Sequence, residues 1–379
     1  MQVRKPFIAL LSLVVVATAI ELSAARALGP RFVRGVVPRL GWHDAGVREP
    51  HRGWAGRPNL RAELVGPHAP YFVEHDARGY RQPERSWDKP PGVKRVLVLG
   101  DSLVYGWGVA RAERFSDQLE RALVERGLAV EVWNLGIPGY SVDQYLWTYE
   151  LHGRALAPDV VIACLVMNDV PIAEASNFRG LAKPRFVRTE AGWQREEPPS
   201  ELVRARALPR GVAWSAHSAT LAWLRERREG PLPGPPTAPP TMPWDEVGSR
   251  AVAAATAAQA ARFVAADAPV HEALRRLVAA VQGAGVPLVL TSFPFGHDLY
   301  LTDPRFEPPP EGRQEGPLAR VLAAYAAEVQ ASAVSVDVAL GEAVSAGAVL
   351  HVGDGHPNAQ AHALLGKALA ATVGELLAR

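Results

Sequence analysis

From Val93 onward the chain alternates short apolar runs with amphipathic stretches, and this alternation constrains the fold most. Val96-Leu97-Val98-Leu99 is a β-branched run ending at Gly100, the pattern of a buried strand. Phe115, Leu119 and Leu123 then recur every four residues, and Gly127 closes the helix they imply. Val130–Trp133 is a second strand. Ser141 and Gln144 form a capping box ahead of a helix that stops near Gly153. Val160–Val166, Val286–Leu290 and Ala333–Val338 supply three more strands. Between them lie a helix marked by Leu274, Leu277, Val278 and Val281 and another over Leu318–Val329. A last helix starts near Asn358 and carries Leu365, Leu369, Val373 and Leu376 on one stripe. This order predicts a doubly wound α/β fold: a mostly parallel five-stranded sheet flanked by helices, flavodoxin-like in layout. Its active site belongs beyond the carboxyl ends of the strands.

The remaining chain divides around this domain of residues 93–379. Arg4 and Lys5 precede the apolar run Phe7–Ile20, and small residues follow through Ala27. That order predicts a signal peptide or membrane anchor over residues 1–28, with the rest exported to the periplasm or cell envelope. Residues 29–92 are rich in Pro, Gly, Arg and Trp without a sustained period. They read as an extended segment packed on the main domain. A mid-chain insertion spans about 171–266, with an Ala-rich helix over Ser249–Ala266. Within it Glu229–Pro243, dominated by Pro, Gly and Thr, reads as an exposed loop or linker.

Charge removes other classes of function. Lys and Arg number 41 and Asp and Glu 39, with no long basic run, so nucleic-acid binding has no electrostatic support. The one cysteine, Cys164, sits inside an apolar run and reads as a buried hydrophobe. The histidines show no metal-ligand spacing, and the first strand lacks a Gly-x-Gly-x-x-Gly turn. Neither a metal nor a cofactor is expected.

Four positions after strands share one chemistry. The first strand ends in Gly100-Asp101-Ser102, which places a hydroxyl where groups from other strand ends can meet it. The second is followed by Gly139, whose backbone N–H can approach a substrate oxygen unobstructed. Asn168, after the third, offers a carboxamide donor. His356, after the fifth, can take the serine proton, with Asp354 close enough to orient it. Asp101 and Asp169 read as local turn stabilisers, and His362 as a packing or surface residue. Trp107 and Tyr140 lie close enough in sequence to line a substrate pocket or to pack in the core.

With these blocks in chain order Ser, Gly, Asn, His, the sequence resembles the SGNH/GDSL esterase–lipase superfamily from about Val93 to the C-terminus. The resemblance implies an SGNH fold in which Ser102 is the nucleophile and His356 the base. The oxyanion donors it implies are Ser102, Gly139 and Asn168. Two positions depart from the family pattern. Val166 and Met167 precede Asn168 where Gly-x is usual, and Gly353 occupies the acid's usual place three residues before the base. The resemblance to envelope relatives with Asp-x-His spacing implies Asp354 as the acid, with a Ser–His dyad supported by a backbone carbonyl as the alternative.

The expected activity is hydrolysis of a carboxylic ester through an acyl-enzyme. O-acetylated envelope glycans, peptidoglycan and lipids are the natural substrates for an exported enzyme. Two other readings use the same residues: an O-acyltransferase of envelope polysaccharide, and a non-catalytic module that binds a glycan or a partner. No oligomeric state is read from the chain.

Overall fold

The computed structural model describes residues 4–28, 37–40, 45–65, 70–178, 180–198, 218–229, 256–294, 315–351 and 355–379. Helix α1 (Arg4–Leu28) comes first. Five short strands follow: β1 (Val37–Leu40), β2 (Gly46–Glu49), β3 (Gly53–Gly56), β4 (Arg61–Val65) and β5 (Pro70–Glu74). Here the segment expected to be extended builds small sheets of its own. β1, β4 and β5 form one, and β2 pairs with β3 in another. Strands of four or five residues among Pro and Gly leave too little alternation to be visible in sequence.

The main domain runs β6 (Lys94–Leu99), α2 (Ser102–Tyr105), α3 (Phe115–Glu125), β7 (Val130–Asn134), α4 (Val142–Thr148), β8 (Val160–Leu165) and α5 (Asp169–Glu174). Two hairpins come next, β9 (Asn177–Phe178) with β10 (Leu181–Ala182) and β11 (Arg185–Thr189) with β12 (Gly192–Glu196). Then follow α6 (Ala219–Glu229), α7 (Pro269–Gln282), β13 (Leu288–Ser292), α8 (Pro317–Glu328), β14 (Ser332–Val334), α9 (Asp337–Ser345) and α10 (Ala359–Ala378). Of the loop Glu229–Pro243, residues 230–243 lie outside the described residues, as does the start of the Ala-rich helix; residues 256–261 of that helix are helical.

The central sheet has the order β14-β13-β8-β6-β7, and every pairing is parallel. Alternation along β6 and β8 splits the core in two. Leu97, Leu99, Val161, Ala163 and Leu165 face the layer of α4, α7 and α8. Val96, Val98, Val160, Ile162 and Cys164 face α3, α9 and α10. Each buried Val, Leu or Ile among them contributes about 1.5–3 kcal/mol through area removed from water, so this interior is a main source of the domain's stability. Helix α10 is long and apolar enough to cross a membrane, but its stripe of Leu365, Leu369 and Val373 is buried against the sheet and α3. It is a core helix.

One boundary differs from expectation. The last strand stops at Val334, and residues 337–345 are helical. Asp337 begins that helix and its carboxylate accepts the Gly316 N–H at 2.8 Å, a non-local contact that no local pattern announces. Helix α1 leaves Leu13, Val14, Val15, Val16, Ile20 and Leu22 exposed. Its far end packs Ala24 on Ala219 of α6, while Glu21 accepts hydrogen bonds from Ala219, Thr220 and Ser218 at the start of α6.

Candidate active site

β6 delivers Ser102 to the start of α2. Asp101 caps that short helix, its Oδ1 accepting the Leu103 N–H at 2.9 Å. Ser102 Oγ lies 2.9 Å from His356 Nε2, although 254 positions separate the two in sequence. His356 is held by the turn beneath it. His351 bridges Pro357, and Asn358 N–H donates to Leu350 O at 2.8 Å. The Asn358 side chain then caps α10 by accepting from Gln360 and Ala361. Between β14 and this turn stands α9, so the base does not directly follow a strand. Asp354, the expected acid, lies outside the described residues, with Val352 and Gly353.

The second block is built with more support than its sequence suggests. Asn134 ends β7, donates to Val104 O at 2.6 Å and to Ser116 Oγ at 2.8 Å, and accepts the Gly136 N–H. Gly139 has φ +78°, the left-handed region that a side chain disfavours. A Cβ there would stand 2.4 Å from the Phe178 ring. Trp54, from β3, stacks on Phe178 with ring centroids 6.1 Å apart. The Ser141 hydroxyl donates to Asp169 O at 2.7 Å, which ties this loop to the third block.

Asn168 Nδ2 donates to Asp101 Oδ2 at 3.3 Å. One of its two amide hydrogens is thereby committed. The Asp101 carboxyl is fully buried, and burial pushes it above the usual carboxylate range. The Leu103 N–H, the nearby His356, Asn168 and Ser102 pull it partly back. Behind Asn168, the Asp169 carboxyl is raised well above its ordinary value by burial, then by the Asp101 charge. It accepts from Tyr145 OH at 2.8 Å and from the Val166 N–H at 2.9 Å, which fixes the turn carrying Asn168.

Ser102 and His356 are thus brought together, and Asp101 connects Ser102 to Asn168. Trp107 joins them, its ring centroid 6.1 Å from that of His356. Tyr140 takes the core-packing alternative. It is fully buried, and its hydroxyl donates to Trp54 O, because the N-terminal segment covers the face that a bare domain would leave open. His362 is likewise a core residue, stacked on Phe115. Cys164 is buried within β8. Sequence reasoning missed Asn134 and Trp54, which hold the Gly139 loop, and the link from Asp101 to Asn168. Asn134 at a strand end was the one available signal. Among the described residues, no group of three or more His, Cys, Asp or Glu side chains is placed to hold a metal ion.

Residues 98–364 match the GDSL-like Lipase/Acylhydrolase family. No curated protein matches the chain significantly. Among solved structures, the chain is similar to a catalytic mutant of Axe2, an acetylxylan esterase from Geobacillus stearothermophilus, at 17% identity and TM-score 0.39. That match covers 74% of this chain and 94% of that one. The esterase EstA from Pseudoalteromonas sp. matches at 13% identity and TM-score 0.37, over 76% and 100%. A carbohydrate acetylesterase family member from Sinorhizobium meliloti matches at 13% identity and TM-score 0.35, over 76% and 100%. With a family match over most of its length, the chain belongs to the GDSL-like lipase/acylhydrolase family and is an SGNH-type serine ester hydrolase.

Proposed function

We propose that Ser102 attacks the carbonyl carbon of an ester while His356 takes the hydroxyl proton. The observation that carries this is the 2.9 Å contact between Ser102 Oγ and His356 Nε2. The tetrahedral oxyanion is held by the N–H groups of Ser102 and Gly139 and by the Asn168 carboxamide. His356 then protonates the leaving alcohol, and water releases the acyl group by the same steps reversed in role. Asp354 orients His356 and stabilises its cation, so Asp354→Asn cuts turnover severely. Trp107 lines the substrate site. The substrate is an O-acetylated glycan of the cell envelope, reached by an enzyme exported and held at the membrane by α1. The exposed Leu13, Val14, Val15 and Val16 support that placement.

A fluorophosphonate probe tests the chemistry. Labelling of the wild type that is lost in Ser102→Ala supports the mechanism, and equal labelling of both overturns it. Acyl release measured with water and with sugar hydroxyls as acceptors separates hydrolysis from O-acyl transfer. Fractionation of cells expressing the full chain tests the membrane placement; recovery with cytoplasmic proteins overturns it.

A further inference from the structure

After Asn168 the chain turns back toward the second block. α5 leads into the hairpin of β9 and β10, which brings Phe178 against Gly139. Each of its strands is two residues long, and the Lys183 N–H closes it by donating to Ser176 O at 2.9 Å. So short a hairpin is marginal on its own and must be held from outside.

Three contacts hold it. β3 packs backbone to backbone on β10, since a Cβ at Gly53 would stand 2.4 Å from Ala182 O. Phe178 is stacked on Trp54. The Lys183 ammonium donates to the Asp143 carboxylate and to Pro184 O at 3.2 Å. Lys183 is 0% exposed and Asp143 1%. Asp143 stands in the first turn of α4, shortly after Gly139. Its Oδ1 accepts the Gln144 N–H at 2.9 Å, and Gln144 Oε1 accepts the Ser141 N–H at 3.2 Å. The ion pair therefore ties the hairpin to the same stretch of chain that carries Gly139.

We propose that the β9–β10 hairpin positions the Gly139 N–H for the oxyanion, with Phe178 as its contact and the Lys183–Asp143 pair as its anchor. The inference rests on Ser102 being the nucleophile and Gly139 an oxyanion donor. Lys183 and Phe178 are positioning residues. An exposed ion pair is adjustable, because water solvates either charge when its partner moves. A buried pair is not: a slipped hairpin would strand both charges in the interior. The hairpin thus has one seat rather than a range of them. From that seat the Phe178 ring leaves Gly139 no room for even a methyl group, so the peptide cannot shift toward the hairpin unless the ring moves. Such precision matters at a donor, where a displacement of about 1 Å can cost roughly 10²-fold in rate.

The test uses the full chain and p-nitrophenyl acetate. Lys183→Met is expected to lower kcat about tenfold while KM changes less than about twofold, because a displaced donor weakens the transition state more than the ground state. Lys183→Met with Asp143→Leu is the deciding variant. An apolar pair refills the volume and restores Tm, but it has no preferred direction, so kcat should stay at least about fivefold below wild type. Recovery of kcat together with Tm makes the pair structural only and overturns the proposal. Phe178→Ala keeps the anchor and removes the contact. It should lower kcat by a similar factor, and adding Lys183→Met to it should cost less than about twofold more. Losses that multiply independently overturn the link between the two residues. If the Lys183 variants fail to fold, Phe178→Ala decides alone, and full kcat in it overturns the proposal. Folded variants with full kcat that still label with fluorophosphonate remove the hairpin's role and leave Ser102 as nucleophile. Turnover surviving in Ser102→Ala overturns the underlying mechanism instead.

Discussion

The indole N–H of Trp54 donates to the carbonyl oxygen of Pro138 at 3.0 Å, one residue before Gly139. A side chain from outside the α/β domain thus fixes the peptide that leads into the expected oxyanion donor. Trp54 is 1% exposed and also stacks on Phe178, so its position is set by packing before it is used to set another. Trp54→Phe keeps most of the ring and deletes the donor. We expect kcat to fall about tenfold with KM nearly unchanged, because a displaced donor weakens the transition state more than the ground state. Steady-state kinetics decide this. A rise in KM alone places Trp54 in substrate binding.

Asn168→Ala removes the carboxamide and should lower kcat by roughly 10²–10³, the usual cost of one oxyanion donor. Asp101→Asn is expected to lower kcat as well, since it weakens the acceptor that holds Asn168 Nδ2. If Asp101→Asn has the same effect in an Asn168→Ala background, the two residues act independently; we expect a clearly smaller effect there.

Gly139→Ala faces two obstacles, a left-handed φ of +78° and a Cβ 2.4 Å from the Phe178 ring. The variant is expected to lose most activity and several degrees of Tm. Adding Phe178→Ala removes the collision and leaves the backbone strain, so thermal stability should recover in part while turnover stays low. Full recovery of turnover would mean that φ at Gly139 has no role.

Lys183 donates to Asp143, and both side chains are buried. Burial pushes the Asp143 carboxyl up and the Lys183 ammonium down, while each partner's charge opposes the shift of the other. Lys183→Met strands a carboxylate in the interior, which costs about 3–5 kcal/mol. Lys183→Met with Asp143→Leu should restore most of that loss. Urea denaturation of the two variants measures it, and a double variant no more stable than the single one contradicts the pairing.

His362 is fully buried and its pKa is pushed down to about 3 by burial, then by Arg114 and Arg81. The unfolded chain takes up this proton near pH 6.5, the folded chain only near 3. Between those values the unfolded state binds more protons, so acidification destabilises the fold by roughly 1.4 kcal/mol per pH unit through this group. His362→Gln cannot titrate. The stability advantage of wild type over His362→Gln is therefore expected to shrink steadily from pH 6.5 downward. Parallel stability curves for the two proteins would contradict this.

What could be read from sequence follows the range of the forces involved. The strands β6, β7, β8 and β13 show as short β-branched runs because both sheet faces are buried. Ser102, Gly139, Asn168 and His356 stand out because each follows a recognisable break in such a pattern. The β14–α9 boundary was misplaced because Val334, Val336 and Val338 alternate like a strand, while Asp337 makes its deciding contact with distant Gly316. Tyr140 and Trp54 were illegible for a related reason. Their burial depends on how an irregular segment folds back over the α4 side of the domain, and nothing local encodes that.

Arg81 shows what this folding back implies. Its buried guanidinium donates to the carbonyls of Tyr105, Gly106 and Val109, the peptides that follow the nucleophile's helix, and to Phe72 O in β5. The family resemblance begins at residue 98, beyond both Arg81 and Trp54. A chain cut where the resemblance begins would keep every residue of the catalytic blocks and lose the cation that shapes the ground under the first of them. The unit that must be inherited or transplanted together is therefore longer than the unit that sequence comparison recognises.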